Sequence, residues 1–123
     1  MQKQAIINSI VAIPSRFYKC QKKSISDLLK ESLYSKRKEE ISAADIRDYL
    51  HKEPKYIPDW IKYSNNKRGS EGWYIAQERG EYIVGYFSIG SEKSEKHNFL
   101  AVSEAVAFFI KKELDSIKIN SSY

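Results

Sequence analysis

The chain predicts an α+β fold: N-terminal helices, a central antiparallel β-hairpin or small sheet, and a long C-terminal helix packed on it. Three observations carry this prediction. Apolar residues recur at helical spacing in several short segments of the first half. Near Trp73 the pattern changes to aromatic and β-branched runs on either side of Arg79-Gly80. From Val102 to Ile117 a helical stripe then runs for over four turns. A two-stranded ribbon is not stable alone, so helices must cover one of its faces.

In the first segment Ile6, Ile10, Ile13 and Phe17 share one helix face, and Pro14 kinks or ends that helix. Ile6-Ile7 and Ile10-Val11-Ile13 also fit a strand, with helix the preferred assignment. Ser24 or Ser26 caps a second helix, with Asp27 in its first turn and Ile25, Leu28, Leu29 and Leu33 as its stripe. Residues 35–40 read as a polar connection. Ser42 caps a third helix, with Ile41 as a staple and Ile46, Tyr49 and Leu50 as its buried face. Pro54 stops it. Pro58 takes the first position of a short fourth helix that turns Trp60 and Ile61 inward and fades at 63–66.

Residues 67–72 are a loop by composition. A two-residue turn at Arg79-Gly80 sets Trp73 opposite Tyr86 and Ile75 opposite Val84, forming one apolar face. Gly85, opposite Tyr74, lets a ring lie over bare backbone or marks a bulge. A third strand is expected from the N-terminal segment or from Ser88-Ile89. Residues 90–97 read as a charged loop, and Asn98 as the cap of the last helix. Val102, Ala105, Val106, Phe109, Ile110, Leu114 and Ile117 form that helix's stripe. Ser103, Glu104, Lys111, Lys112 and Asp115 lie mostly on its outer side.

A chain of 123 residues, 41% hydrophobic and 30% charged, fits a single domain, 1–123, that buries a core without staples. Its one cysteine, Cys20, cannot form an intramolecular disulfide, so a reducing compartment is expected. The apolar patch 5–13 is too short and polar to span a membrane and makes a poor signal peptide. A cytoplasmic protein without a membrane partner is therefore expected. Charge is unevenly spread. Residues 1–68 carry 15 Lys and Arg against 8 Asp and Glu, whereas residues 69–123 carry 6 against 8. A basic half steers an acidic partner, although a solvated Lys-rich surface gives the same count.

Catalytic chemistry finds little to work with. His51 falls at a helix end, where it can meet the last carbonyls, and His97 falls in a loop. Cys20 stands beside Lys19, Lys22 and Lys23, surroundings that favour a thiolate, but an incidental thiol is the preferred reading. Glu39-Glu40 and Asp45 with Asp48 read as solvated charge. No nucleophile elbow, phosphate-cradling Gly loop or zinc spacing occurs. The expectation is a non-enzyme with no catalytic residue, no metal and no cofactor.

What remains is a recognition surface. Tyr63, Asn65, Asn66, Lys67, Arg68 and Trp73 place two aromatics around short polar and basic residues, a composition favoured at protein interfaces. Core packing of Trp60 and Trp73 is the competing explanation for the two indoles. Trp60-Ile61-Lys62-Tyr63-Ser64, Lys67-Arg68 and Gly72-Trp73-Tyr74-Ile75 resemble small bacterial immunity proteins. So do Tyr82-Ile83-Val84-Gly85-Tyr86 and the run Phe108-Phe109-Ile110-Lys111-Lys112-Glu113-Leu114. The resemblance covers roughly residues 41–117. Immunity proteins, including those of contact-dependent growth inhibition systems, bind and block a cognate toxin domain. The resemblance thus implies a cytoplasmic antitoxin that occludes the toxin's active site or substrate surface. Inhibitors of nuclease toxins are usually acidic and this chain is basic. The implied toxin surface is then acidic, or only the acidic C-terminal half touches it.

The alternative is a winged-helix-like DNA-binding protein, with 41–50 and 58–63 as helix-turn-helix and the hairpin as wing. The basic half agrees with a nucleic-acid partner. The outer face of the second helix offers only Asp59 and Lys62, a poor base-reading set.

Overall fold

Serines cap two of the helices in the N-terminal half. The computed structural model describes residues 2–19, 23–66, 71–88 and 95–117. The first segment is helical, not extended: α1 spans Lys3–Val11 and α2 spans Ile13–Lys19. The break falls at Ala12, and Pro14 sits in the first turn of α2, where its missing N–H leaves no helical bond unmade. Ile6, Ile10 and Ile13 are fully buried. Helix α3, Ile25–Glu31, opens with a capping box. The Ser24 hydroxyl accepts from the Asp27 N–H, and the Asp27 carboxylate accepts from the Ser24 N–H, both at 3.1 Å.

The helical stripe expected to reach Leu33 stops short of it. Leu33 adopts φ 63°, a left-handed conformation that usually falls to glycine, and turns the chain into α4, Tyr34–Arg37, and a 3-10 turn, Lys38–Glu40. The expected polar connection is therefore largely helical. Its reason is Tyr34, which is 1% exposed and anchors the turn to the last helix. The Tyr34 hydroxyl donates to Asp115 at 2.6 Å. Lys111 donates to the Tyr34 oxygen at 2.8 Å and to the Lys38 carbonyl at 2.6 Å.

Ser42 repeats the capping box with Asp45 and starts α5, Ala43–Lys52. Ile46 and Leu50 are fully buried. A 3-10 turn, Pro54–Tyr56, leads into α6, Ile57–Asn66, so Pro58 is the second helical residue.

The hairpin has the expected register. Strands β1, Glu71–Glu78, and β2, Glu81–Ser88, pair Trp73 with Tyr86, Tyr74 with Gly85 and Ile75 with Val84. Arg79 and Gly80 form the turn, both at positive φ. At Gly85 the glycine admits a close approach: an added Cβ would lie 2.5 Å from the Tyr74 hydroxyl and 2.8 Å from the Glu95 carbonyl. The Tyr74 ring thus lies over bare backbone.

The third strand comes from neither expected source. It is β3, Glu95–Phe99, and the sheet order is β1-β2-β3, antiparallel throughout. Residues assigned to a charged loop therefore pair with β2, and Asn98 caps nothing. It lies within β3 and donates to Glu81 at 3.1 Å. The last helix, α7, Val102–Ser116, starts at Ala101 without a side-chain cap. Only His97 and Phe99 of β3 turn toward α7, where both contact the Phe108 ring, while Glu95, Lys96 and Asn98 are exposed. A short edge strand of that composition stays wet on one side.

Helix α7 is the hub of the core, burying Ala105, Val106, Phe109 and Ile110 completely. Ser103 is not on its outer side as expected. It is 7% exposed and meets His51 of α5 at 2.7 Å. Among the described residues, no helix is long and apolar enough to cross a membrane.

Candidate recognition surface

The C-terminal end of α6 divides sharply into an inner and an outer side. On the inner side Trp60 is 1% exposed and its indole N–H donates to the Val11 carbonyl at 2.8 Å. Tyr63 packs edge-on against Trp60 and Phe109, with centroids 5.4 and 6.4 Å away. Its hydroxyl donates to the Glu113 carboxylate of α7. Burial first, and then the adjacent Glu113 charge and hydrogen bond, push the Tyr63 phenol well above its ordinary range. Ser64 is 8% exposed, and its hydroxyl accepts the Ile75 N–H of edge strand β1 at 2.9 Å. Three side chains within five residues thus tie this end of α6 to α1, α7 and β1.

On the outer side, Lys62, Asn65 and Asn66 are exposed. The Lys62 ammonium lies 4.6 Å from the centre of the Tyr18 ring, which steadies it without neutralising it. The result is two amides and one ammonium on a fixed helix end, able to donate and accept hydrogen bonds toward a polar or acidic surface.

The six residues singled out by sequence fall into four groups. Asn65 and Asn66 are at the surface, and Tyr63 is half-buried. Trp73 is in the core at 8% exposure, edge-on to Tyr86 at 5.4 Å and Phe108 at 6.3 Å, with the Lys112 ammonium 5.6 Å from its ring centre. Lys67 and Arg68 lie outside the described residues, as does Cys20. Burial of both indoles matches the core explanation.

The two imidazoles have separate partners. His51 bridges α5 to α7 through Ser103 instead of meeting helix-end carbonyls. His97 stands 3.2 Å from Glu95 and 4.6 Å from the Phe108 ring centre. Sequence reasoning missed the Lys111–Tyr34–Asp115 network, because its members are 77 and 81 residues apart and share no motif. It also passed over the outer face of the sheet, where Tyr74 and the exposed Phe87 ring stand 6.0 Å apart. Among the described residues, no group of three or more His, Cys, Asp or Glu stands where it would hold a metal ion.

Compared with family models, with curated proteins and with solved structures, the chain matches none.

Proposed function

We propose that the chain is an immunity-type protein that binds and neutralises a cognate bacterial toxin domain, with the end of α6 and the following Lys67-Arg68 as part of the contact. One observation carries the binding half of this reading. The end of α6 is anchored on its inner side by Trp60, Tyr63 and Ser64, while Lys62, Asn65 and Asn66 face solvent. A polar surface held in place before contact loses little conformational freedom on association, which favours affinity. The similarity of residues 41–117 to immunity proteins supplies the class of partner.

The experiment is co-purification with the C-terminal domain of a toxin encoded beside this gene. The expected result is a stable complex and loss of the toxin's activity. Reversing Lys67 and Arg68 to Glu should weaken that complex about tenfold or more while leaving the fold intact. Unchanged affinity would show that this segment is not the contact. Retention on DNA that falls steeply with salt, without any protein partner, would replace the reading with nucleic-acid binding.

A further inference from the structure

We propose that the groove between α5 and α7 binds a second copy of this chain, with Leu100 of each copy seated in the groove of the other. Leu100 is 80% exposed, far more than the other exposed large hydrophobics among the described residues, Phe87 at 40% and Leu33 at 36%. It directly follows Phe99, which with Phe108 forms the wall of a cavity of about 240 Å³. Ala43 and Ala44 of α5 and Ala107 of α7 also line the cavity, so small side chains leave room for an incoming one. The rim carries one charge of each sign, Arg47 from α5 and Glu104 from α7.

A twofold interface brings one patch against itself, so that patch must hold both halves of every contact. This patch does so twice. It carries an apolar projection and an apolar recess, and its two rim charges are opposite, so each Arg47 can face the other copy's Glu104. A rim of single sign would repel its own copy, whereas this one attracts it. The existing partner of Arg47 is no obstacle. It is the neighbouring Asp48 at 3.2 Å, an exposed pair of small worth. The inference does not depend on the toxin reading.

The test is the mass of the intact chain by sedimentation velocity, in low salt, from about 10 µM to about 1 mM. The average mass is expected to rise from 14.3 kDa toward twice that value. Leu100→Asp, at a position too exposed to affect folding, should hold it at the monomer. Arg47→Glu and Glu104→Arg should each raise the dissociation constant about tenfold, and the two together should restore it. A monomer at every concentration would overturn the proposal. So would a dimer indifferent to Leu100→Asp, or a double reversal no better than the single ones. A monomeric wild type whose capture of a different protein is lost in Leu100→Asp would give the groove to that protein.

Discussion

Tyr63 of α6 donates its hydroxyl to the 4%-exposed carboxylate of Glu113 in α7, and this bond joins the candidate recognition helix to the hub of the core. Tyr63→Phe keeps the ring and its edge-on contacts but removes the donor. A buried carboxylate that loses a donor costs about 1–3 kcal/mol. Urea unfolding should show that loss, and partner affinity should fall with it as the end of α6 loosens. A variant of unchanged midpoint would show that Glu113 is satisfied without Tyr63.

The same phenol predicts a weakness at high pH. Tyr34 and Tyr63 are both pushed above their ordinary value of 10.0, first by burial and then by Asp115 and Glu113 respectively. Up to pH 10 both phenols are protonated whether the chain is folded or not, and stability is fully present. Above pH 10 the unfolded chain releases these protons while the folded chain keeps them, so stability falls as pH rises toward the folded values. Each retained proton contributes a slope of about 1.4 kcal/mol per pH unit. Urea midpoints should therefore hold from pH 8 to about pH 10 and then drop toward pH 11, more steeply for the wild type than for Tyr63→Phe. Equal slopes would show that the Tyr63 phenol ionises as freely in the fold as in the unfolded chain.

At the sheet, Gly85→Ala would bring a methyl group against the Tyr74 ring and the Glu95 backbone carbonyl at once. The ring can swing away, but the carbonyl belongs to the β2–β3 ladder. A loss of about 1–3 kcal/mol is expected. Adding Tyr74→Ala should recover only part of it, because the Glu95 contact persists. Full recovery in thermal denaturation would place the whole clash on Tyr74.

How much of this was legible follows from which signals are local. Ser24 with Asp27 and Ser42 with Asp45 announce helix starts within four residues, and Arg79-Gly80 fixes the hairpin register through turn geometry alone. Strand β3 was not legible, because only His97 and Phe99 face the helix and the other three positions are polar. Such a strand exists by pairing with β2, a tertiary cause that its own five residues do not display. Leu33 hid a turn between α3 and α4 for a similar reason. Burial of Tyr34 holds Leu33 left-handed where sequence statistics expect glycine. At the candidate surface, residue type agrees with the exposure of Asn65 and Asn66 but did not separate Trp73, whose indole suits a core and an interface equally.

Ser64→Ala tests how α6 is fastened to the sheet. The hydroxyl accepts the Ile75 N–H of edge strand β1, and without it that buried donor has lost its acceptor. A loss of about 1–2 kcal/mol is expected. Hydrogen exchange should report it locally, as faster exchange at Ile75 than at Val84 of the central strand. Equal acceleration at both amides would mean that the sheet opens as a unit and that Ser64 guards no single position.

Trp73→Ala separates packing from recognition. The ring is 8% exposed and packs against Tyr86 and Phe108, two aromatics on different elements, so truncation leaves a cavity between β1 and α7. The expected cost is about 3–5 kcal/mol. Partner binding, measured where the variant is still folded, should change little, because almost none of the indole reaches the surface. Asn65→Ala with Asn66→Ala should behave in the opposite way, leaving the unfolding midpoint within about 0.5 kcal/mol of wild type and weakening the complex. If Trp73→Ala instead proved stable and lost the partner, the indole would have to leave the core on binding, and the hairpin would belong to the contact.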